Sequence, residues 1–90
     1  MKFIVTWTIP KAYVLSAQAR FLQTGGQPPA GVKMIGRWHG MSGGGFLVAE
    51  TNDAKALYAW LEQWNDFLEF NTTPCLDDAE AGEVLSAAKH

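Results

Sequence analysis

The sequence is poor in cysteine and in clustered positive charge. Cys75 is its single cysteine, and seven lysines and arginines are scattered among nine carboxylates, giving a formal net charge of −2. One cysteine permits no disulfide within the chain, which excludes a disulfide-stapled secreted scaffold and indicates a reducing, cytoplasmic setting. A nucleic-acid partner requires a basic face that neutralises phosphates. We therefore expect a cytoplasmic protein that binds no nucleic acid.

Long apolar runs and metal-binding motifs are also missing. No window approaches the ~18 apolar residues of a membrane span, and Met1–Ile9 lacks the apolar core and cleavage site of a signal peptide. One cysteine and one internal histidine, His39, are too few soft ligands for a metal site, and no HxxxH, HExxH or CxxC motif occurs. We expect no membrane partner, no metal and no cofactor.

Aromatic residues, by contrast, are abundant: four tryptophans, five phenylalanines and two tyrosines occur in 90 residues. A chain of this length forms one domain with a modest core, which we assign to residues 1–90. Each large aromatic ring buries about 150–250 Å², and four tryptophans exceed the needs of one small core. The excess predicts a second burial site: a self-association face, a ligand pocket, or both.

Strand-like and helical segments alternate along the chain. Segments rich in β-branched and aromatic residues predict strands at Lys2–Thr8, Val32–His39, Gly45–Glu50 and Glu69–Leu76. Apolar residues at helical spacing predict helices at 10–24 and 52–68, followed by a weak last helix from Asp77 with Glu80 in a capping box. The β-α-β-β-α-β order predicts a ferredoxin-like α+β fold: a four-stranded antiparallel sheet with two helices on one face, plus a short C-terminal helix.

The glycine-rich segment 40–44 predicts a hairpin turn between the second and third strands. A turn centred on Ser42 predicts the cross-strand pairs His39–Gly45, Trp38–Phe46, Arg37–Leu47 and Met34–Glu50. Trp38 and Phe46 then form an aromatic pair, and Gly45 leaves space beside the imidazole of His39.

Both alternation sets of the central strands contain apolar residues. Ile4 lies on the opposite face from Phe3, Val5 and Trp7, and the second and third strands are apolar in both sets as well. This pattern is typical of strands that are buried on both faces. In the predicted fold the helices cover only one of these faces. A bare apolar face would favour aggregation, so we predict a homodimer that packs the two open sheet faces together.

Six residues form the candidate site: Trp7, Arg37, Trp38, His39, Glu50 and Asn71. Arg37 and His39 share a face at the sheet rim and are suited to an anionic or polar group, although both also fit a solvated strand end. Trp7 and Trp38 are interpreted as core, interface or pocket wall, whereas Trp60 and Trp64 are assigned to the core. Glu50 and Asn71 are polar residues inside strands, and Glu50 shares a face with Trp38 and Met34 in the predicted register.

Three stretches carry a family resemblance: MKFIVTWTIP at the start, FLQTGG…PP…GVK…GRWH over 21–39, and the tail LEQWNDFLEFNTTPCLDDAEAGEVL. They resemble a family of small domains of unknown function in the dimeric α+β barrel superfamily, with Gly36-Arg37-Trp38-His39 as the most recognisable block. The resemblance implies a ferredoxin-like fold and a dimeric α+β barrel. It implies no catalytic residue, because the superfamily includes cofactor-independent monooxygenases, isomerases, haem-degrading enzymes and plain ligand binders.

Three functions remain open at this point. The first is a dimer that binds a small apolar or aromatic molecule, or regulates, without chemistry of its own; its pocket is lined by Trp7 and Trp38, with Arg37 and His39 at the mouth. The second is a small cofactor-independent, monooxygenase- or isomerase-like enzyme acting on an aromatic or polyketide-like substrate, which requires His39, Glu50 or Asn71 to converge on a cavity. The third is a protein-interaction module that adds a partner strand to the edge strand or uses the open face.

Overall fold

The computed structural model describes residues 1–88, so that Lys89 and His90, the end of the expected domain, lie outside the described residues. Its elements are β1 (Lys2–Thr8), a 3-10 turn (Lys11–Tyr13), α1 (Val14–Thr24), β2 (Lys33–His39), β3 (Gly45–Glu50), α2 (Ala54–Glu62), β4 (Glu69–Cys75) and α3 (Asp78–Ala88). The four strands form one antiparallel sheet in the order β2-β3-β1-β4. The predicted ferredoxin-like α+β fold is confirmed.

The core lies between one face of the sheet and the helices. Alternate residues of the central strands β1 and β3 point to this helix side, where Val5, Trp7, Leu47 and Ala49 are buried. Leu57 and Trp60 of α2 complete the cluster. The two-residue period of the strands and the helical period of α2 therefore direct these apolar sets into one layer.

The second helix is shorter than its apolar stripe predicts. It begins after its N-cap residue Asp53, whose carboxylate accepts the backbone N–H of Ala56 at 3.1 Å. It ends at Glu62, and residues 63–67 continue as tighter turns in which Trp64 N–H bonds to the Leu61 carbonyl at 3.0 Å. The apolar stripe thus continues through tight turns, in which about three residues rather than 3.6 complete each turn.

The hairpin register is confirmed next to the turn and wrong at its far end. His39 pairs with Gly45, Trp38 with Phe46 and Arg37 with Leu47, as predicted. The predicted Met34–Glu50 pair does not form, because the register shifts between Met34 and Gly36, so that Met34 pairs with Ala49. This irregularity moves Met34 to the helix side, away from Glu50, and a glycine inside a strand is a recognised sign of such a bulge.

Two glycines make room for two tryptophans on opposite faces of the sheet. A Cβ on Gly45 would lie 2.6 Å from Cζ2 of Trp7, so the space that the sequence assigned to the His39 imidazole is filled by the Trp7 indole. A Cβ on Gly36 would overlap the indole of Trp38 on the open face. There Trp38 stacks on Phe46 with ring centroids 4.9 Å apart, which confirms the predicted aromatic pair.

The last helix is attached to the domain mainly through its first turn. Asp77 and Glu80 form the predicted capping box, with the Glu80 N–H 2.8 Å from the Asp77 carboxylate, and Lys2 Nζ lies 3.4 Å from Glu80. No residue of α3 is buried, and Val84 and Leu85 are exposed. None of the helices in residues 1–88 is long and apolar enough to cross a membrane.

Replacement of Gly45 by alanine tests how tightly the Trp7 indole and the neighbouring strand pack around this glycine. The added methyl group would overlap the backbone carbonyl oxygen of Trp38 as well as the Trp7 indole, and we expect Gly45→Ala to lower the free energy of unfolding by about 1–3 kcal/mol. Urea unfolding followed by circular dichroism measures the change. Gly82→Ala is the control, because a Cβ at this position of α3 would meet no neighbouring atom within 4 Å; equal losses in the two variants would contradict the packing argument.

Candidate functional site

A cavity of about 340 Å³ lies between the helix-side face of the sheet, α1 and α2. Its lining is apolar apart from three polar side chains, Gln18, Arg37 and His39. The other lining residues are one glycine, Gly26, and the apolar residues Trp7, Ile9, Ala17, Phe21, Leu22, Leu47, Trp60, Leu61, Trp64, Leu68 and Phe70. A second depression between α2 and β4 is lined mostly by exposed side chains. The first cavity is therefore the candidate site.

The cavity exists because α1 presents a small residue to the sheet. Ala17 is the buried side chain of this helix, whereas Val14 and Phe21 are half-buried. Leu22 had the helical spacing of a core residue but is 84% exposed. A helix that faces the sheet with a methyl group at its centre leaves the volume of a larger side chain empty beneath it.

Aromatic rings from β1, α1, α2, the turns after α2 and β4 form the walls. Trp7 and Trp60 are buried, with 8% and 3% of their surface exposed. Trp64, which the apolar stripe assigned to the core, is only half-buried and lines the cavity instead. Its position in the tight turns after α2, rather than in the helix itself, accounts for the difference. Three of the four tryptophans, Trp7, Trp60 and Trp64, therefore line the cavity.

Arg37 reaches from β2 to the end of α1, where its guanidinium is held by backbone. Its Nη1–H donates to the Gly26 carbonyl at 2.7 Å and its Nη2–H to the Gly25 carbonyl at 2.9 Å. Both glycines have the left-handed backbone that ends a helix, with φ of 73° and 54°. A Cβ on Gly26 would lie 3.0 Å from Nη1, so glycine also makes room for the guanidinium.

Burial lowers the pKa of Arg37 below the ordinary arginine value. The guanidinium lies 4.9 Å from the centroid of the Phe21 ring, which gives it a cation–π contact. Arginine side chains nevertheless stay protonated in proteins. Arg37 therefore places a positive charge in a mostly apolar lining.

His39 lies at the cavity mouth, edge-on to two aromatic rings. Its imidazole centroid is 6.0 Å from the Trp7 ring at an interplanar angle of 73°, and 4.9 Å from the Phe21 ring at 60°. Arg37 and His39 are on the same face of β2, as their spacing predicted. The imidazole is exposed at its outer side and can donate or accept a hydrogen bond there.

The structure brings together three of the six sequence-predicted site residues, Trp7, Arg37 and His39. Trp38, Glu50 and Asn71 lie on the opposite, open face: Glu50 pairs with Lys2 and Asn71 with Thr6, and Trp38 is 53% exposed there. His39 therefore does not converge with Glu50 or Asn71 on a common cavity, and the arrangement that the enzyme hypothesis required is absent. Strand parity decides this, because neighbouring residues point to opposite faces.

Sequence reasoning missed several parts of the cavity, namely Gln18, Phe21, Gly26, Leu68 and Phe70. The double glycine after α1 ends the helix, and its two carbonyls also position Arg37. That role depends on a contact between residues eleven and twelve positions apart. In residues 1–88 no group of three or more His, Cys, Asp or Glu side chains is placed to hold a metal ion.

Arg20 joins α1 to the turns that follow α2. Its Nη1–H and Nη2–H donate to both carboxylate oxygens of Asp66 at 2.8 and 2.7 Å, and Nη1–H also donates to the Gln63 carbonyl at 2.9 Å. The guanidinium lies 4.2 Å from the centroid of the Phe67 ring. The hydrogen bond from Arg20 is the largest cause that lowers the pKa of Asp66. This bridge holds the two helices that flank the cavity.

A family model described as Domain of unknown function (DUF3303) matches residues 1–89. The match spans all elements from β1 to α3 and every residue that lines the cavity. A comparison with the curated proteins finds no match.

Loss of the Arg20 bridge should be visible in the titration of Asp66. We expect Arg20→Gln to raise the pKa of Asp66 toward the ordinary value of about 3.9 and to lower stability at neutral pH. Because the folded pKa is depressed, the bridge stabilises the protein above the unfolded pKa and ceases to do so as pH falls through the folded value. The difference between wild type and variant should therefore shrink in acid.

Carbon-13 NMR of the Asp66 carboxylate and urea unfolding at several pH values measure the two effects. Lys55→Gln is the control, since it removes one positive charge from an exposed position on α2. An unchanged pKa of Asp66 in Arg20→Gln would contradict the assigned cause.

Proposed function

The chain belongs to the DUF3303 family, a domain of unknown function, and we propose from its cavity that it binds a small apolar or aromatic molecule as a homodimer. The carrying observation is the cavity of about 340 Å³, walled by aromatic rings and containing few polar groups. Ligand sites are typically about 300–1,000 Å³, mostly apolar, with a small number of placed polar groups. This lining supports a binding or regulatory role without chemistry of its own.

The expected affinity is moderate. Burial of about 200–300 Å² of apolar ligand surface contributes about 5–8 kcal/mol at 25 cal/mol per Å², before the protein wall is counted. Lost translational and rotational freedom costs at least about 4 kcal/mol. With a comparable apolar area buried on the protein side, the lower figures leave about 6 kcal/mol, which corresponds to a dissociation constant of tens of micromolar.

We propose that a second copy of the chain covers the open sheet face. Ile4, Ile35, Trp38 and Phe46 are between 38% and 53% exposed on this face, and α3 adds unpartnered apolar residues. The accessible surface is 6380 Å², whereas a compact monomer of this mass exposes only about 5,200 Å². The excess is of the order of the ~800 Å² that each partner buries in a standard interface.

The competing functions have weaker support. β2 is an edge strand, as strand addition requires, but its irregularity between Met34 and Gly36 interrupts the ladder that a partner strand would extend. An enzyme remains the less favoured alternative, because His39 lies apart from Glu50 and Asn71. The proposed setting is a reducing cytoplasm, in keeping with a single free thiol at Cys75.

Ligand binding in the cavity is testable with N-phenyl-1-naphthylamine, a neutral aromatic dye that fluoresces in apolar sites. We expect saturable micromolar binding to the wild type and at least a tenfold weaker binding to Ala17→Phe, because the new ring occupies the cavity. Ala19→Phe makes the same change on the exposed side of α1 and should bind like the wild type. Thermal melts establish that both variants fold, and equal binding by all three proteins would place the dye outside the cavity.

The proposed dimer is testable by multi-angle light scattering at micromolar concentration. We expect a mass near twice the 9.9 kDa of one chain, and a shift to the single-chain mass in Phe46→Glu, which places a charge on the open face. Leu15→Glu introduces the same charge at an 80% exposed position of α1 and should remain dimeric. A monomeric wild type would refute the proposed dimer but would leave the proposal of ligand binding in the cavity unaffected.

A further inference from the structure

The cavity holds a positive charge that no carboxylate within residues 1–88 pairs with. Its lining includes Arg37 and contains neither aspartate nor glutamate. Within residues 1–88, the ion pairs closer than 4.0 Å involve Lys2 and Arg20, not Arg37. The contrast with Arg20 is informative, because that arginine also reaches backbone carbonyl yet has a bidentate carboxylate partner in Asp66.

The hydrogen bonds of Arg37 position its charge without neutralising it. A guanidinium has five N–H donors, and two of them are used by the carbonyls of Gly25 and Gly26. Three donors remain, and both acceptors in use are uncharged. A half-buried charge that has lost water is costly unless an opposite charge compensates it. The site is thus prepared for an anion beside Arg37.

We infer that the ligand of this cavity is amphipathic: an apolar or aromatic body that carries a carboxylate. The body contacts the Trp7, Trp60 and Trp64 walls, and the carboxylate accepts hydrogen bonds from the free donors of Arg37, with the imidazole of His39 beside it at the mouth. A planar carboxylate matches the planar guanidinium fork and can accept two parallel hydrogen bonds from it. This inference rests on the proposed function, since it presumes that the cavity binds a small molecule.

Naphthalene-2-carboxylate and naphthalene-2-carboxamide form a probe pair that differs in charge and hardly in size. Isothermal titration calorimetry of the wild type should show the carboxylate binding about tenfold more tightly, the effect of a hydrogen bond to a charged group. In Arg37→Met we expect the ratio of the two affinities to fall to about one, whatever change the loss of the hydrogen bonds to Gly25 and Gly26 causes in both affinities together. Lys33→Met is the control, because it removes a charge from the same strand on the opposite face, and it should keep the full preference.

A second measurement needs no variant. Arg20 and Arg37 are the two arginines of the chain, so their Nε–H signals are readily distinguished by nitrogen-15 NMR. We expect the carboxylate, and not the carboxamide, to shift the Arg37 signal while the Arg20 signal stays in place as an internal reference.

The outcomes separate this inference from the proposed function. Neutral dye binding together with equal affinities for the two naphthalene compounds would overturn the anionic ligand and leave the apolar cavity standing. A carboxylate preference that survives in Arg37→Met would overturn the role of Arg37. Absence of binding by the dye and by both naphthalene compounds would overturn the proposed function and this inference together.

Discussion

The Trp7 indole lying over Gly45 is the contact on which the rest of the site depends. Where the two central strands end beside the hairpin turn, a glycine on β3 leaves a gap, and the indole from β1 fills it. The ring then belongs both to the buried core with Val5 and Leu47 and to the wall of the cavity. It also packs at a steep angle against the imidazole of His39 at the cavity mouth. The fit of the Trp7 indole over Gly45 thus contributes to the core, to the cavity wall and to the position of His39 at the mouth.

Charge is distributed around the cavity in two contrasting ways. Arg20 and Asp66 neutralise each other outside the lining and join the two flanking helices. Arg37 faces the cavity, fixed by neutral carbonyls that the left-handed turn at Gly25 and Gly26 presents. The Arg20–Asp66 pair stabilises the scaffold, whereas the charge of Arg37 can interact with a ligand. Binding specificity is expected to reside in such a small number of placed polar groups, while the apolar walls supply most of the affinity.

The two proposed roles lie on opposite faces of one sheet. The helix side carries the cavity, and the open side carries the exposed Trp38–Phe46 stack and Ile4. Gly36 leaves room for Trp38 on the open face, and Gly45 leaves room for Trp7 on the helix side, because a Cβ at either position would overlap the indole. A dimer through the open face would leave the cavity accessible from the helix side, so the two proposed roles do not compete for the same surface.

Local sequence pattern determined the secondary-structure order, the ferredoxin-like fold, the hairpin pairs next to the turn and the shared face of Arg37 and His39. These follow from periodicities of two and 3.6 residues and from glycine and proline signals, which act over a few neighbours. The tertiary structure decided which residues meet across long separations. The irregularity near Gly36 separated Met34 from Glu50, Ala17 left the cavity open, the turns after α2 brought Trp64 into its wall, and the Gly25 and Gly26 carbonyls received Arg37. No local pattern encodes these outcomes, because each depends on the volume and direction of side chains that only the packed elements bring together.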